Sequence, residues 1–215
     1  AFIQAEELLE SIRNGNAQPE AAQPLLDRLL RMVVSREEGM LELAARYLTL
    51  EDIVRIRKRM IGTGLIGGKT LGMLLARAIL HRHSERSAEI FEAHDSFFIG
   101  SDVFYTYLVR NGVWWVRQNQ RNPETFLDGA EQARQNILTG RFPDYIVRQI
   151  ENMLDYFGQS PIIVRSSSLL EDNFGNSFAG KYESVFCANQ GSREKRLDDF
   201  LAAMRTISAS SRSAK

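Results

Sequence analysis

The chain has 215 residues, of which 44% are hydrophobic and 25% are charged, and this composition predicts a folded protein with one sizeable core or two small ones. Its 27 Lys and Arg residues balance its 27 Asp and Glu residues, so no net basic field favours nucleic acid, and no apolar run approaches the roughly 20 residues that span a bilayer. A single cysteine, Cys187, excludes an internal disulfide, and we expect a reduced, cytoplasmic protein that binds neither nucleic acid nor membrane.

The two ends of the sequence lack the features of complete termini. The sequence begins AFIQAEELLE, with no initiator Met and no signal pattern, and it stops at AAMRTISASSRSAK without a clear structural close. We therefore expect the chain to be a piece of a longer protein.

Residues 1–60 are predicted to be helical throughout. Apolar residues recur at helical spacing, for example between Leu25 and Val33, and Thr49 followed by Asp52 is typical of a capped helix start. No motif with visible chemistry occurs in this region. We interpret it as an all-helical N-terminal extension that serves as a collar or as a partner-binding surface.

Residues 61–215 are predicted to mix helices with strands that cluster late. The predicted helices are residues 71–83, a segment beginning at Ser101, residues 124–138, residues 143–157 and a segment beginning near Ser192. The predicted strands are residues 96–100, residues 162–164 and residues 177–188. This pattern indicates an α+β domain over residues 61–215, which follows the helical extension.

A glycine-rich stretch, Gly62 to Thr70 (GTGLIGGKT), precedes the first of these helices. A P-loop needs a glycine, four further residues and then Gly-Lys-Thr. Counting back from Gly68 places Thr63 at the position of the first glycine, so the spacing fails by one residue. The preceding IVRIRKRM is also too charged for the buried strand that leads into a P-loop. The sequence therefore disfavours a P-loop NTPase.

The same stretch keeps a weaker anion-binding character. Glycines leave backbone N–H groups accessible, a helix N-terminus favours an anion, and Lys69 adds a mobile positive charge. The alternative is a flexible loop that ends in a lysine. The loop alone does not decide between these two interpretations.

A second cluster of phosphate-binding residue types follows the strand predicted at residues 162–164. Arg165 stands at the end of this strand, where burial is costly without an anionic partner, and its planar guanidinium suits phosphate oxygens. The three serines at 166–168 add hydroxyl donors. The alternative is a structural ion pair between Arg165 and either Glu171 or Asp172.

A turn of small residues rich in backbone donors comes next, from Asn173 to Gly180 (NFGNSFAG). Such a turn can fold over a polyphosphate without steric obstruction. In the strand that follows, Ser184 and Phe186 share one face. Arg165, the serines and this flap lie within 16 residues and together predict a phosphate clamp.

These motifs resemble the nucleotide-binding domain of pyruvate phosphate dikinase and phosphoenolpyruvate synthase, whose relatives include the rifampin phosphotransferases. PIIVRSSSLLEDNFGNSFAGKYESVF is similar to the family signature V-R-S-S-x-x-x-E-D…S-F-A-G-x-x-E-[ST], and Gly67-Gly68-Lys69 is similar to its N-terminal Gly-Gly-Lys loop. FFIGSDVFYTYL occupies the place of a Pro-Gly-Phe segment of the family, although AHDS replaces the Pro-Gly entry. The resemblance covers about residues 61 to 209.

The resemblance implies the first part of an ATP-grasp-type nucleotide-binding domain, in which two α+β subdomains close on ATP. Lys69 and Arg165 are then expected to bind the ATP phosphates and to act in catalysis, and Ser184 is expected beside the phosphates. The flap residues expected to cover the phosphates are Ser177, Phe178, Ala179 and Gly180.

The implied reaction transfers the β-phosphoryl group of ATP to a histidine on a separate domain, which passes it to pyruvate or another acceptor. The phosphohistidine and acceptor-binding domains, the Mg²⁺ ligands and the adenine pocket are expected outside this chain, so no metal ligand is assigned and the fragment alone is expected to be inactive. His81, His83 and His94 match no phosphohistidine motif; the first two are interpreted as a solvated helix end and His94 as part of a polar loop. The alternative function is a non-catalytic module that senses nucleotide or scaffolds a partner.

Overall fold

A computed structural model defines the placement of residues 1–83, 86, 90, 95–119, 122, 124–125, 128–168, 172–173, 176–177 and 183–210. The chain forms two compact units. The first comprises Ala1–Ser101 and Asp172–Asn176, and the second comprises Asp102–Glu171 and Ser177–Lys215.

Helical segments open the first unit, as the apolar periodicity of residues 1–60 predicts. They are α1 (Phe2–Arg13), a 3-10 turn (Pro19–Ala22), α2 (Gln23–Val33), α3 (Glu38–Tyr47) and α4 (Leu50–Lys58). The start of α4 is stabilised by a capping box, in which the Asp52 N–H donates to Thr49 Oγ1 at 3.2 Å and the Thr49 N–H donates to the Asp52 carboxylate at 2.8 Å. The capping prediction for these two residues is confirmed.

The core of the first unit runs from these helices into the glycine-rich region. α2 packs against α3 and α4, and α1 packs against α4. A fifth helix, α5 (Gly68–His83), packs against α3 and contributes Leu71 and Leu75 to the same buried cluster. Residues 1–60 therefore share one apolar core with the beginning of the predicted nucleotide-binding domain. The boundary at residues 60 and 61 stays a prediction.

A short parallel sheet frames the glycine-rich stretch. β1 (Met60–Ile61) pairs with β2 (Phe98–Ile99), with Met60 opposite Phe98 and Ile61 opposite Ile99. The charged residues of IVRIRK belong to α4, and the two buried residues of β1 lead directly into the loop. The prediction that no buried strand precedes the stretch is therefore wrong, whereas the mismatch in glycine spacing still disfavours a P-loop.

The second unit is also mainly helical. Its helices are α6 (Ser101–Arg110, whose first residue belongs to the first unit), α7 (Trp114–Asn119), α8 (Ala130–Thr139), α9 (Asp144–Phe157) and α10 (Arg193–Ser210). The helices predicted from Ser101, over residues 143–157 and near Ser192 are confirmed. α8 begins at Ala130 rather than at residue 124, because Gly129 adopts a left-handed φ of +69° directly before it. None of the described helices is long and apolar enough to cross a membrane.

Two antiparallel strands, β3 (Ile162–Arg165) and β6 (Ser184–Cys187), pack against α10. The strand predicted at residues 162–164 is confirmed, but the strand predicted at residues 177–188 is too long. Ser177 belongs to β5 (Asn176–Ser177), which forms a separate sheet with β4 (Asp172–Asn173), and Glu183 lies outside the strands. The described residues thus form a mostly helical α+β arrangement with small sheets, while the ATP-grasp assignment stays a prediction.

Cys187 lies on the side of β6 that faces α10, and only 7% of it is exposed. Burial, with a smaller contribution from Asp199, raises the pKa of the thiol above its ordinary value. The thiol of Cys187 is therefore buried, and its environment disfavours the thiolate form.

Candidate functional site

The glycine-rich stretch forms the connection between β1 and α5. Gly62, Gly64 and Gly67 have φ angles of +71°, +87° and +84°, a region that residues with side chains rarely adopt. Gly67 directly precedes α5, so the half-buried Lys69 lies in the first turn of the helix. A helix N-terminus carries partial positive charge, and the lysine adds a full charge at the same place.

Hydrogen bonds occupy two backbone N–H groups of this loop. The Leu65 N–H donates to Ser101 Oγ at 3.0 Å, and the Ser101 N–H donates to the Leu65 carbonyl at 3.0 Å. The Ile66 N–H donates to the carbonyl of Val33, the last residue of α2, at 2.9 Å. The N–H groups of Leu65 and Ile66 are therefore occupied by contacts within the first unit, and the expectation about the glycine N–H groups stays a prediction.

The backbone of Gly100 lies close to the loop. Its N–H donates to the Ile61 carbonyl at 2.9 Å, and a Cβ added at Gly100 would lie 1.9 Å from the carbonyl oxygen of Thr63. The position therefore excludes any side chain. Sequence reasoning does not identify Gly100 or Ser101 as site residues, because the Leu65–Ser101 contact joins positions 36 residues apart. The signal present in the sequence is a glycine placed directly after a short apolar strand.

The strands β3 and β6 expose one face. In their antiparallel register Arg165 is opposite Ser184, and Ile163 is opposite Phe186. These four residues alternate with the residues that face α10, and Phe186 is 82% exposed. Directly opposed side chains have Cβ atoms about 5 Å apart. One ligand can therefore contact Arg165 and Ser184 together.

Arg165 is exposed at the end of β3. β3 is buried on one side only, with Val164 8% exposed and Ile163 45% exposed, so the predicted cost of burying the guanidinium does not arise. An exposed arginine needs no anionic partner for its own stability. The case for phosphate binding at Arg165 therefore depends on its position opposite a hydroxyl group and on its planar donor geometry.

The described residues contain part of the predicted clamp. Ser166 is buried, and the next two serines are half-buried. The backbone of Ser177 belongs to β5. The flap residues Phe178, Ala179 and Gly180 lie outside the described residues, as does Glu171, an alternative partner of Arg165.

β4, at the start of the predicted flap, lies against α5, the helix that carries Lys69. Asp172 and Asn173 pack against α5 within the first unit. Arg165 and Ser184 belong to the second unit. The structure thus brings together Arg165 and Ser184 in one unit, and β4 and the Lys69 helix in the other.

The histidines and acidic residues do not form a metal centre in the part of the chain that the structure describes. His81 and His83 are exposed at the end of α5, where His83 Nδ1 lies 2.9 Å from the Ile79 carbonyl oxygen, and the predicted solvated helix end is confirmed. His94 lies outside the described residues. Among those residues no three His, Cys, Asp or Glu side chains are grouped to hold a metal ion. No Mg²⁺ ligand is assigned among the described residues, and no catalytic role is derived from the metal.

A glycine-rich loop that ends in a lysine at a helix start, together with an Arg–Ser pair on an exposed sheet face, is typical of a nucleotide-binding protein. The sequence profile of the family described as pyruvate phosphate dikinase, AMP/ATP-binding domain, matches residues 63–215. The chain therefore belongs to this family, as the resemblance of its motifs predicts. No curated protein and no solved structure significantly matches the chain.

Proposed function

We propose that the chain is the ATP-binding module of a dikinase-type phosphotransferase that phosphorylates a histidine on a separate domain of the same protein. Membership in the AMP/ATP-binding family supports ATP as the nucleotide. The observation that carries the proposal further is the placement of Arg165 opposite Ser184 on an exposed sheet face within the matched region.

Each proposed site residue has a physical role that suits a polyphosphate. The guanidinium of Arg165 presents parallel N–H donors to two phosphate oxygens, and the Ser184 hydroxyl donates to a third from the adjacent strand. Lys69 brings a point charge to the start of α5. We expect the segment from Ser177 to Gly180 to cover the phosphates, as its match to the family's flap implies.

In the proposed reaction a histidine nitrogen attacks the β-phosphorus of ATP, the bond from that phosphorus to the oxygen of the α-phosphate breaks, and AMP leaves. The histidine then carries a pyrophosphoryl group, and the bond between its β-phosphorus and γ-phosphorus atoms is cleaved in a second step. Water takes the γ-phosphoryl group as phosphate, or inorganic phosphate takes it as pyrophosphate, and the β-phosphoryl group stays on the histidine. Negative charge grows on the transferring phosphoryl oxygens and on the leaving oxygen. Lys69 and Arg165 stabilise that charge, which makes positioning and electrostatics their contribution to the rate.

The test replaces each cationic residue by alanine in the full-length protein. Lys69→Ala and Arg165→Ala are each expected to lower the rate of ATP-dependent phosphohistidine formation by roughly a hundredfold or more, as loss of a charge-stabilising donor does elsewhere. Labelling with radioactive ATP, followed by identification of the acid-labile phosphohistidine, measures this rate. Product analysis is expected to show AMP with phosphate or pyrophosphate.

Matched controls separate a site effect from a general loss of charge. Lys58→Ala and Arg148→Ala remove exposed cations from α4 and α9 and are expected to leave labelling unchanged. Unimpaired labelling in both site variants would contradict the site assignment, and ADP as the sole nucleotide product would contradict a dikinase reaction. ATP binding without any labelling would identify the non-catalytic sensing module instead.

A further inference from the structure

The loop that carries Lys69 depends on residues outside the glycine-rich stretch for its shape. Its three left-handed glycines give the backbone many alternative conformations, and glycine loses more conformational freedom on folding than any other residue. Contacts from elsewhere in the first unit must therefore select one conformation. The most direct of these contacts come from Gly100 and Ser101, which connect β2 to α6.

The bond between Ser101 and Leu65 is reciprocal. The Ser101 hydroxyl accepts from the Leu65 N–H, and the Ser101 N–H donates to the Leu65 carbonyl, both at 3.0 Å. Both polar groups of one loop peptide position are thus held by a single residue at the start of a helix. Leu65 lies four positions before Lys69, so this pair holds the loop close to the residue proposed to bind phosphate.

Gly100 contributes the space that this arrangement needs. Its missing side chain lets the Thr63 carbonyl approach to a distance that a Cβ atom would forbid. On its other side, the Gly100 N–H continues the parallel ladder by donating to the Ile61 carbonyl at 2.9 Å. Gly100 and Ser101 therefore hold the backbone of the loop at two places, at Ile61 where it begins and at Leu65 in its middle.

We infer that Ser101 is a positioning residue for nucleotide phosphate binding, acting through the Leu65 backbone on the Lys69 loop, with Gly100 providing the required close approach. Ser101 does not itself contact the nucleotide. This inference rests on the proposed phosphate role of Lys69. According to this inference, the connection between β2 and α6 affects the affinity for the phosphates and not the affinity for the nucleoside.

The experiment compares the dissociation constants of ATP and adenosine in the full-length protein. Ser101→Ala is expected to raise the dissociation constant of ATP about fivefold to tenfold, the range that loss of one backbone-anchoring hydrogen bond permits, while adenosine binding stays unchanged. Ser101→Thr keeps the hydroxyl and is expected to restore ATP affinity. Hydrogen exchange of the peptide covering residues 62–70 is expected to be faster in Ser101→Ala than in the wild type.

Ser192→Ala is the matched control, because the Ser192 hydroxyl accepts from the Lys195 N–H at 3.2 Å beside the start of α10. It removes a comparable helix-start hydrogen bond and is expected to leave both affinities unchanged. An equal loss of ATP and adenosine affinity in Ser101→Ala, wild-type ATP affinity in that variant, or no rescue by threonine would each overturn the inference. The hydrogen exchange of the loop peptide in folded protein is an independent readout that needs no nucleotide, and a wild-type exchange rate there would also overturn the inference.

The same experiment distinguishes a failure of the proposed function from a failure of the positioning role of Ser101. If wild-type protein binds ATP no more tightly than adenosine, the phosphate site itself is wrong, and the inference falls with it. If the wild type shows a phosphate-dependent gain that Lys69→Ala removes and Ser101→Ala does not, the positioning role alone fails.

Discussion

At the residue scale, Tyr107 joins three segments of the second unit. Its hydroxyl donates to the Ile137 carbonyl in α8, and its ring stacks on Phe142 with centroids 4.1 Å apart. Gly140 lies against the same hydroxyl, since a Cβ added there would be 2.6 Å from it, and the Gly140 carbonyl accepts from Arg205 Nε at 3.0 Å. A buried phenol thus organises the turn between α8 and α9.

The environment of Tyr107 predicts a measurable dependence of stability on pH. Burial raises the pKa of its phenol above 10.0, and this effect exceeds the opposing influence of Arg205. Because the folded pKa is raised, the contribution to stability is complete below the unfolded pKa of about 10 and is lost as the pH rises above it. Tyr107→Phe is expected to lower the free energy of unfolding by about 1–2 kcal/mol at neutral pH, by leaving the Ile137 carbonyl without its donor.

Urea denaturation at neutral pH and above about pH 10 tests both parts of this prediction. Tyr145→Phe is the control, because Tyr145 is 45% exposed on α9. Loss of stability at alkaline pH should be steeper in the wild type and in the control than in Tyr107→Phe. Equal alkaline slopes in all three proteins would contradict the assignment to Tyr107.

At the scale of an element, the sheet formed by β3 and β6 has two unlike faces. Val164 faces α10 and is 8% exposed, whereas Ile163 is 45% exposed beside the Arg165–Ser184 pair. Val164→Ala is expected to lower the free energy of unfolding by about 1.5–2.5 kcal/mol, through lost burial and the cavity left behind. Ile163→Ala is expected to cost less than about 1 kcal/mol. Chemical denaturation of the two variants measures the difference, and equal costs would contradict the observed orientation of β3.

The elements differ in how well the sequence predicts them. Helices that combine apolar periodicity with a cap, such as α4 behind Thr49, are predicted because both signals are local. β1 has two residues, too few to show any alternation. The three apolar residues at 162–164 predict a strand but not its one-sided burial, because an unbroken apolar run does not tell which face meets the core.

The residues of the candidate site also differ in how well the sequence predicts them. Arg165 and Ser184 are recognised from a contiguous motif, and their pairing follows once the strands are in register. Lys69 is recognised from its glycines. The Leu65–Ser101 pair has no local signature, because its two residues come from distant segments that meet only after folding.

At the scale of the whole molecule, the first unit extends beyond the region matched by the family. Its apolar core includes Leu29, Leu30 and Ile53 from the helices before residue 63, together with Leu71 and Leu75 after it. A protein reduced to residues 63–215 is therefore expected to lose the cooperative unfolding of the first unit, since removal of the helices exposes the apolar side of α5. Circular dichroism during thermal denaturation, with residues 1–215 as the control, measures this. Unfolding of the shorter protein with the same midpoint, and with the same loss of helical signal per residue, as residues 1–215 would show that the helices are dispensable.

The division into two units also goes beyond what the sequence indicates. Composition changes little along the chain, and no linker rich in Gly, Pro or Ser marks a boundary at residue 101. Asp172–Asn176 returns to the first unit from within the second unit, so the division is not a single cut in the sequence. The assignment of these residues to the first unit depends on contacts between β4 and α5. No local sequence pattern predicts contacts between segments that lie so far apart in the chain.

The register of β3 and β6 has a consequence for how the length of this chain can vary among its relatives. Removal or insertion of one residue within Ser184–Cys187 turns every later side chain of the strand to the opposite face. Phe186 would then point at α10, and a residue now packed against that helix would take its place outside. We expect gaps in alignments of related sequences to fall in the connections and to spare these two short strands, and three-nucleotide deletions there to be more harmful than most substitutions.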